Sequence, residues 1–345
     1  MNAACLGPTC VPILQIHPSR HCNLSCRHCY SSSAPEARGG VDPARVVALI
    51  QDAAAEGYRA LSISGGEPFL YAGLAETLRA ARECGMQTLV ATNGYYLDSN
   101  KYRKCRSDID VIALSIDGLA EEHNAMRGRP DAFAALMRAA AILRADGKPF
   151  AFIHTVHNRN WHEVDQIADI AESAGAQSLQ LHPLEVAGRA SQTMQKHGLS
   201  RANARRLFLA THVLMAEREK LAVHVDLLHR DWVAVSPSLA YVSTTTATKD
   251  ASLSALIGVL VLDESGNLLP ATYGLNSRYV ITNLNSSSLR NHVRAYLAGP
   301  YQEFIGLCNI VHTNLMGDPE CDLFNWSDEL ARKSHASQSI AIYPQ

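Results

Sequence analysis

The sequence predicts an α/β protein, a partial (β/α)6 TIM-like barrel with a small α+β C-terminal appendage. Three observations predict it. Short apolar runs alternate with amphipathic helical patterns from Val11 to about Pro183. Several of the helical patterns open on Asp or Asn and close on Gly, the ordinary start and stop signals of helices. After Leu184 the alternation breaks. Repeated β-then-α units imply a parallel sheet with helices outside it.

The strands expected in order are PILQIH (12–17), ALSIS (60–64), QTLVAT (87–92), DVIALSI (110–116), FAFIHTV (150–156) and SLQLHPL (178–184). Helical patterns separate them at 42–57, 73–85, 131–147 and 160–175. Beyond them a helix is expected at 200–221 and a polar, mobile connector at 241–254. The run IGVLVLDESGNLLPATYG (257–274) reads as a hairpin turning at Glu264–Asn267, and a helix follows at 286–298.

Composition narrows the function. With 345 residues and 47% hydrophobic content, the chain can build one large domain or a domain plus an appendage. A net charge of -2 provides no field that favours nucleic acid or anionic lipid. No run reaches the length of a membrane span. The N-terminus lacks a basic region followed by an apolar one, so no secretory signal is read and the cytoplasm is expected. Nine cysteines, an odd number without such a signal, argue against a disulfide framework. Cys84 and Cys105 stand alone and read as small apolar filler.

Three of the nine, Cys22, Cys26 and Cys29, are packed into SRHCNLSCRHCYSSS with C-x3-C-x2-C spacing. A structural zinc site wants four protein ligands. His21 and His28 are near, yet so short a loop closes a Cys3His tetrahedron awkwardly. A cubane [4Fe–4S] cluster uses one thiolate per iron, so three cysteines leave one iron open to another ligand. The triplet follows the first strand, at the end of a barrel where active sites are built. The second strand ends in SISGGEP, where Gly65 and Gly66 let backbone approach a ligand with their N–H and C=O groups free to bond it.

This combination resembles the radical S-adenosylmethionine (SAM) superfamily. Cys22, Cys26 and Cys29 match its cluster triplet, Tyr30 the aromatic that follows, and Gly65, Gly66, Glu67 and Pro68 the segment that binds the methionine amino group. ATNG (91–94, with Asn93) and LSIDG (114–118, with Ser115 and Asp117) match the third and fourth strand ends. HNAMRG (123–128), Asn160 and PLEVAGRA (183–190, with Leu184) fit the later ones. The resemblance implies one [4Fe–4S] cluster and SAM as cofactors. It implies reductive cleavage of SAM to a 5′-deoxyadenosyl radical that abstracts hydrogen from a peptide or natural-product substrate. An electron donor such as flavodoxin or ferredoxin is the implied partner, with no nucleic acid and no membrane.

Peptide-modifying relatives end in a cysteine-rich extension called SPASM or, when shorter, twitch. Here the matching hairpin keeps Pro270 but has Ala271 where the cysteine belongs, and only Cys308 and Cys321 follow. The expected division is therefore an N-terminal segment (1–11), a radical SAM partial barrel (12–222) and a degenerate SPASM/twitch-like domain without its own cluster (223–345). Two other readings are open: a four-thiolate site from Cys5, Cys10, Cys308 and Cys321, or Cys308 or Cys321 as a hydrogen donor. Glu185 is a candidate substrate contact, or an ion-pair partner for Arg189. Small-molecule tailoring, tetrapyrrole processing and a non-catalytic iron–sulfur protein are the alternative functions.

Overall fold

The computed structural model describes residues 11–241 and 251–336. Its strands β1 (Ile13–Ile16), β2 (Ala60–Ile63), β3 (Gln87–Thr92), β4 (Val111–Ile116), β5 (Phe150–Val156) and β6 (Ser178–Pro183) pair in sequence order, all parallel. The connections carry helices α1 (Pro43–Ala55), α2 (Leu74–Glu83), α3 (Asn100–Cys105), α4 (Ala120–Arg127), α5 (Ala132–Ala145) and α6 (Val164–Ala174). Caps set their limits: Asp42 accepts from Ala44 N at 2.8 Å ahead of α1, and α4 and α6 stop at Gly128 and Gly175 with left-handed φ. Of these helices, α3 and α4 are additions to the pattern read from sequence.

After β6 come α7 (Ala190–Thr193), α8 (Arg201–Glu217), β7 (Ala222–Val225), β8 (Leu228–His229), α9 (Arg230–Val235) and α10 (Leu253–Leu256). The chain ends in β9 (Val259–Leu262), β10 (Asn267–Pro270), β11 (Thr282–Asn283), α11 (Leu289–Ala298), α12 (Pro300–Gly317), β12 (Leu323–Phe324) and α13 (Trp326–His335). The hairpin expected at 257–274 is β9–β10, antiparallel about the anticipated turn. Of the expected connector, residues 242–250 lie outside the described residues.

One finding was not legible in the pattern. β7 adds a seventh parallel strand beside β6, and β9 pairs parallel with β1, so ten strands form one sheet in the order β11-β10-β9-β1-β2-β3-β4-β5-β6-β7. The appendage hairpin thus continues the barrel's own sheet.

Alternation along the strands divides two faces. Leu14, Ile16, Leu61, Ile63, Ile112, Leu114, Phe152, Leu179 and Leu181 are fully buried in the main core. The other face carries Gln15, Ser62, Ala91, Ala113, Ala151 and Ser178, all lining one cavity of about 420 Å3. His224 of β7 and Val259 of β9 line it as well, so the sheet curls round the space. A barrel lumen is ordinarily filled by bulky side chains. Here alanine and serine alternate with Ile13, Leu89, Val111 and Ile153, and a hollow is left.

Candidate functional site

The loop after β1 is built from short-range hydrogen bonds. Ser19 Oγ accepts from His21 N at 3.0 Å and donates to Gly39 O at 3.0 Å. Cys22 N donates to Ala34 O and Ala34 N to Arg20 O, each at 3.2 Å, which closes the loop on itself. Cys22 and Cys26 are buried, Cys29 is half-buried, and all three line the cavity. Arg189 clamps the loop from outside, with Nη1 on Cys26 O and Nη2 on Ser33 O at 2.7 Å each. The Glu185–Arg189 ion pair considered from sequence is therefore replaced: Arg189 serves the cysteine loop, and Glu185 pairs with His182.

Backbone N–H groups point at two sulfurs, Leu24 N at 3.4 Å from Cys22 Sγ and Ser33 N at 3.3 Å from Cys29 Sγ. Burial pushes the Cys22 thiol up to about 12 and the Cys26 thiol up to about 11. Among the described residues no three His, Cys, Asp or Glu side chains are already gathered as a metal cage. The neighbouring histidines are engaged elsewhere, His21 Nδ1 with Ala37 O at 3.1 Å and His28 Nε2 with Asp117 at 3.2 Å. Among the described residues no further cysteine lines the cavity. Three thiols without a nearby fourth ligand suit a cubane cluster with one open iron better than a closed zinc site.

The SISGGEP segment packs beneath this loop, and here the structure corrects an expectation. Gly66 N donates to Ser19 O at 2.7 Å and Glu67 N to His21 O at 2.9 Å, so those amides are spent inside the fold. A Cβ on Gly66 would lie 2.1 Å from His21 O, and Gly65 has a φ of +106°. The glycines are required for the approach of the cysteine loop itself. Glu67 is buried. It accepts from Thr92 Oγ1 at 2.7 Å, Asn93 N at 3.1 Å and Phe69 N at 3.2 Å, tying the second strand end to the third. Burial raises its carboxyl to about 7 against those bonds.

Asp117 organises the fourth and fifth strand ends. Its carboxylate meets Arg127 Nε at 2.5 Å and His28 Nε2 at 3.2 Å, and its amide donates to His123 Nδ1 at 3.1 Å. Burial opposes ionisation, but Arg127, His28 and His123 outweigh it and hold the carboxyl well below the usual range. Asn160 spends its side chain on His157 N, Asp117 O and Thr155 O. Of the residues expected to touch SAM, Tyr30, Gly65, Gly66, Glu67, Asn93, Ser115 and Leu184 line the cavity. Pro68, Asp117 and Asn160 do not line it.

A further wall comes from β6, β7 and the C-terminal region. His182 and Glu185 reach the cavity with Gln180, Asp226, Asn325 and Trp326. Tyr273, just past Ala271, packs on His17 and Tyr30 with ring centroids 4.7 and 5.3 Å apart. Its hydroxyl donates to Glu264, which pairs with Arg20 of the cysteine loop at 3.3 Å. Ala271 itself lines the cavity with a φ of +66°.

Cys308 is fully buried in α12 and Cys321 is half-buried, and neither lines the cavity. Cys5 and Cys10 lie outside the described residues. Sequence reading missed Arg189 and Asp226 as site residues and gave Arg127 no role. Arg127 had a signal, the arginine of HNAMRG, whereas Asp226 directly follows β7, a strand that the sequence pattern did not reveal.

A hollow parallel barrel with three thiols and a glycine-rich turn at its mouth defines a cofactor-binding α/β protein. The Radical SAM superfamily model matches residues 16–171 of this chain. The chain is 29% identical over 187 residues to the Fe-coproporphyrin III synthase of Methanosarcina barkeri, covering 54% of this chain and 47% of that protein. It is 28% identical over 222 residues to the PqqA peptide cyclase of Gluconobacter oxydans, covering 64% and 61%. The chain spans about half the length of the first curated relatives it matches. The fold is shared with Streptococcus suis SuiB bound to precursor peptide SuiA, at a TM-score of 0.64, 18% identity and coverage of 91% and 74%. Among the described residues no helix is long and apolar enough to cross a membrane.

Proposed function

We propose that this chain is a radical SAM enzyme that holds one [4Fe–4S] cluster on Cys22, Cys26 and Cys29 and acts on a peptide or small natural-product substrate. The observation that carries the reading is that the three cysteines and the Gly65–Glu67 turn face one hollow barrel lumen. When bound, such a cluster supplies an electron, delivered by a flavodoxin or ferredoxin, for reductive cleavage of SAM to a radical that abstracts hydrogen. The chain's own contribution is position and exclusion of water. Gly65 and Gly66 let the cysteine loop approach and line the space with Asn93 and Ser115, while Tyr30 and Leu184 bound it. Asp117, Glu67 and Asn160 act through the loops they hold.

A second reading, a porphyrin-related or other small-molecule substrate, is favoured by the similarity to Fe-coproporphyrin III synthase. The appendage carries no cluster in either reading, since Ala271 replaces a thiol.

The test is anaerobic reconstitution of the wild type and a Cys22/Cys26/Cys29→Ala variant, with iron, sulfide and 5′-deoxyadenosine measured. About four irons per chain in the wild type, none in the variant, and dithionite-dependent SAM cleavage only in the wild type are expected. Absence of iron or of cleavage in the wild type would sink the proposal. Iron retained by the variant would place a second cluster elsewhere and overturn the empty appendage.

A further inference from the structure

The polar wall formed by β6 and the residues after β7 has no duty in the reading above. Asp226 is buried and its Oδ2 accepts from Gln180 Nε2 at 2.7 Å and faces His182 Nδ1 at 2.6 Å. The other ring nitrogen, Nε2, faces Glu185 Oε1 at 3.3 Å. An imidazole with a carboxylate on each nitrogen is held as the imidazolium, because each carboxylate needs a donor. Burial disfavours that charge, and the two carboxylates outweigh it.

One imidazolium between two carboxylates leaves the wall negative by one charge. The C-terminal region adds to this: Asn325, Trp326 and Ser327 close the cavity, and Asp328 follows in the first turn of α13. Burial and the nearby Glu185 raise the Asp328 carboxyl to about 6. Nothing built into the cavity answers that charge. Among the described lining residues there is no lysine, and the single arginine, Arg127, is committed to Asp117.

An independent observation points to a bound molecule in the same space. His17 lines the cavity and is 1% exposed, with Nδ1 against the Tyr30 hydroxyl at 3.2 Å. Its Nε2 is buried without a hydrogen-bond partner among the described residues. A buried polar atom left so is ordinarily met by a ligand or water.

We propose that Glu185, His182 and Asp226 form a recognition subsite for a cationic, hydrogen-bonding group of the substrate, an ammonium or guanidinium. The cation lies against Glu185, whose carboxylate His182 and Asp226 hold in place. This deepens the functional reading, since it rests on the lumen being where substrate enters.

The test uses the full chain, reconstituted anaerobically, and two matched probes, Nα-acetyl-lysine methylamide and its neutral isostere Nα-acetyl-norleucine methylamide. Binding is measured by calorimetry at low and moderate salt. The lysine probe is expected to bind at least about tenfold more tightly, with a preference that falls as salt rises. Glu185→Gln and Asp226→Asn are each expected to erase most of that preference, while Cys308→Ala keeps it. Equal binding of both probes, no binding of the lysine probe, or a preference that survives both Glu185→Gln and Asp226→Asn would overturn the subsite. Iron content and SAM cleavage on the same samples separate the two claims. A lysine preference in protein that holds no cluster would keep the subsite and sink the enzyme reading, and cleavage without the preference would do the reverse.

Discussion

The two walls of the cavity spend their polar groups in opposite ways. On the cysteine-loop side, Glu67 and Asp117 are buried carboxylates whose bonds go to the protein: strand ends, loop amides, Arg127. On the β6–β7 side, His182 is 30% and Glu185 25% exposed in their side chains, and both reach open space. The first wall is preorganised, with its polar groups already bonded within the protein. The second holds an unmatched charge. A protein that must hold a cofactor in one geometry and admit a substrate has reason to build them differently.

Breaking the first wall has the largest expected effect. Asp117→Asn leaves Arg127 as a buried, poorly compensated cation, and a loss of about 3–5 kcal/mol is expected from denaturant midpoints. Glu185→Gln on the second wall costs under about 1 kcal/mol in the same assay. Equal losses would erase the distinction between the walls.

Glycine substitution sharpens it further. Gly66→Ala forces a Cβ against the His21 carbonyl, so a loss of about 1–3 kcal/mol and poorer iron uptake are expected. Gly306→Ala, in the interior of α12 with no atom within 4 Å of the new Cβ, should instead gain up to about 1 kcal/mol. Iron per chain and thermal midpoints measured on both variants check the pair.

The smallest effect is one of pH. The carboxylates hold the His182 value in the folded chain above its unfolded one, despite burial. Its ion pairs therefore stabilise fully below the unfolded value of about 6.5 and are lost as pH rises through the elevated folded value. The destabilisation caused by His182→Gln, under about 1 kcal/mol at its largest, should shrink between pH 6 and pH 9. A cost that grows with pH over that range would refute the charged-imidazole assignment.

What was legible in the sequence follows the same division. The six strands and the C-x3-C-x2-C loop are local patterns, written in spacing and alternation, and they were readable. The pairing of His182 with Asp226 depends on strand register across 44 residues, and β7, only AVHV, carries too little apolar signal to announce itself. The glycine amides illustrate a subtler miss. GGEP was rightly seen as a place of close approach, but the approaching backbone is the loop at Ser19–His21, which no one-dimensional spacing reveals. Arg189 was read against Glu185, its nearest opposite charge along the chain. Its guanidinium fork instead fits two loop carbonyls.

The parallel pairing of β9 with β1 gives the chain a timetable. Ile13 joins Val259, 246 residues later, so the strand that launches the cysteine loop waits for that whole stretch before its second neighbour exists. During vectorial synthesis, β1 to β6 can assemble in order while the first edge stays uncovered. Tyr273, which packs on Tyr30 and His17, emerges later still. The nascent barrel is thus left ajar beside its thiols until the β9–β10 hairpin has been made.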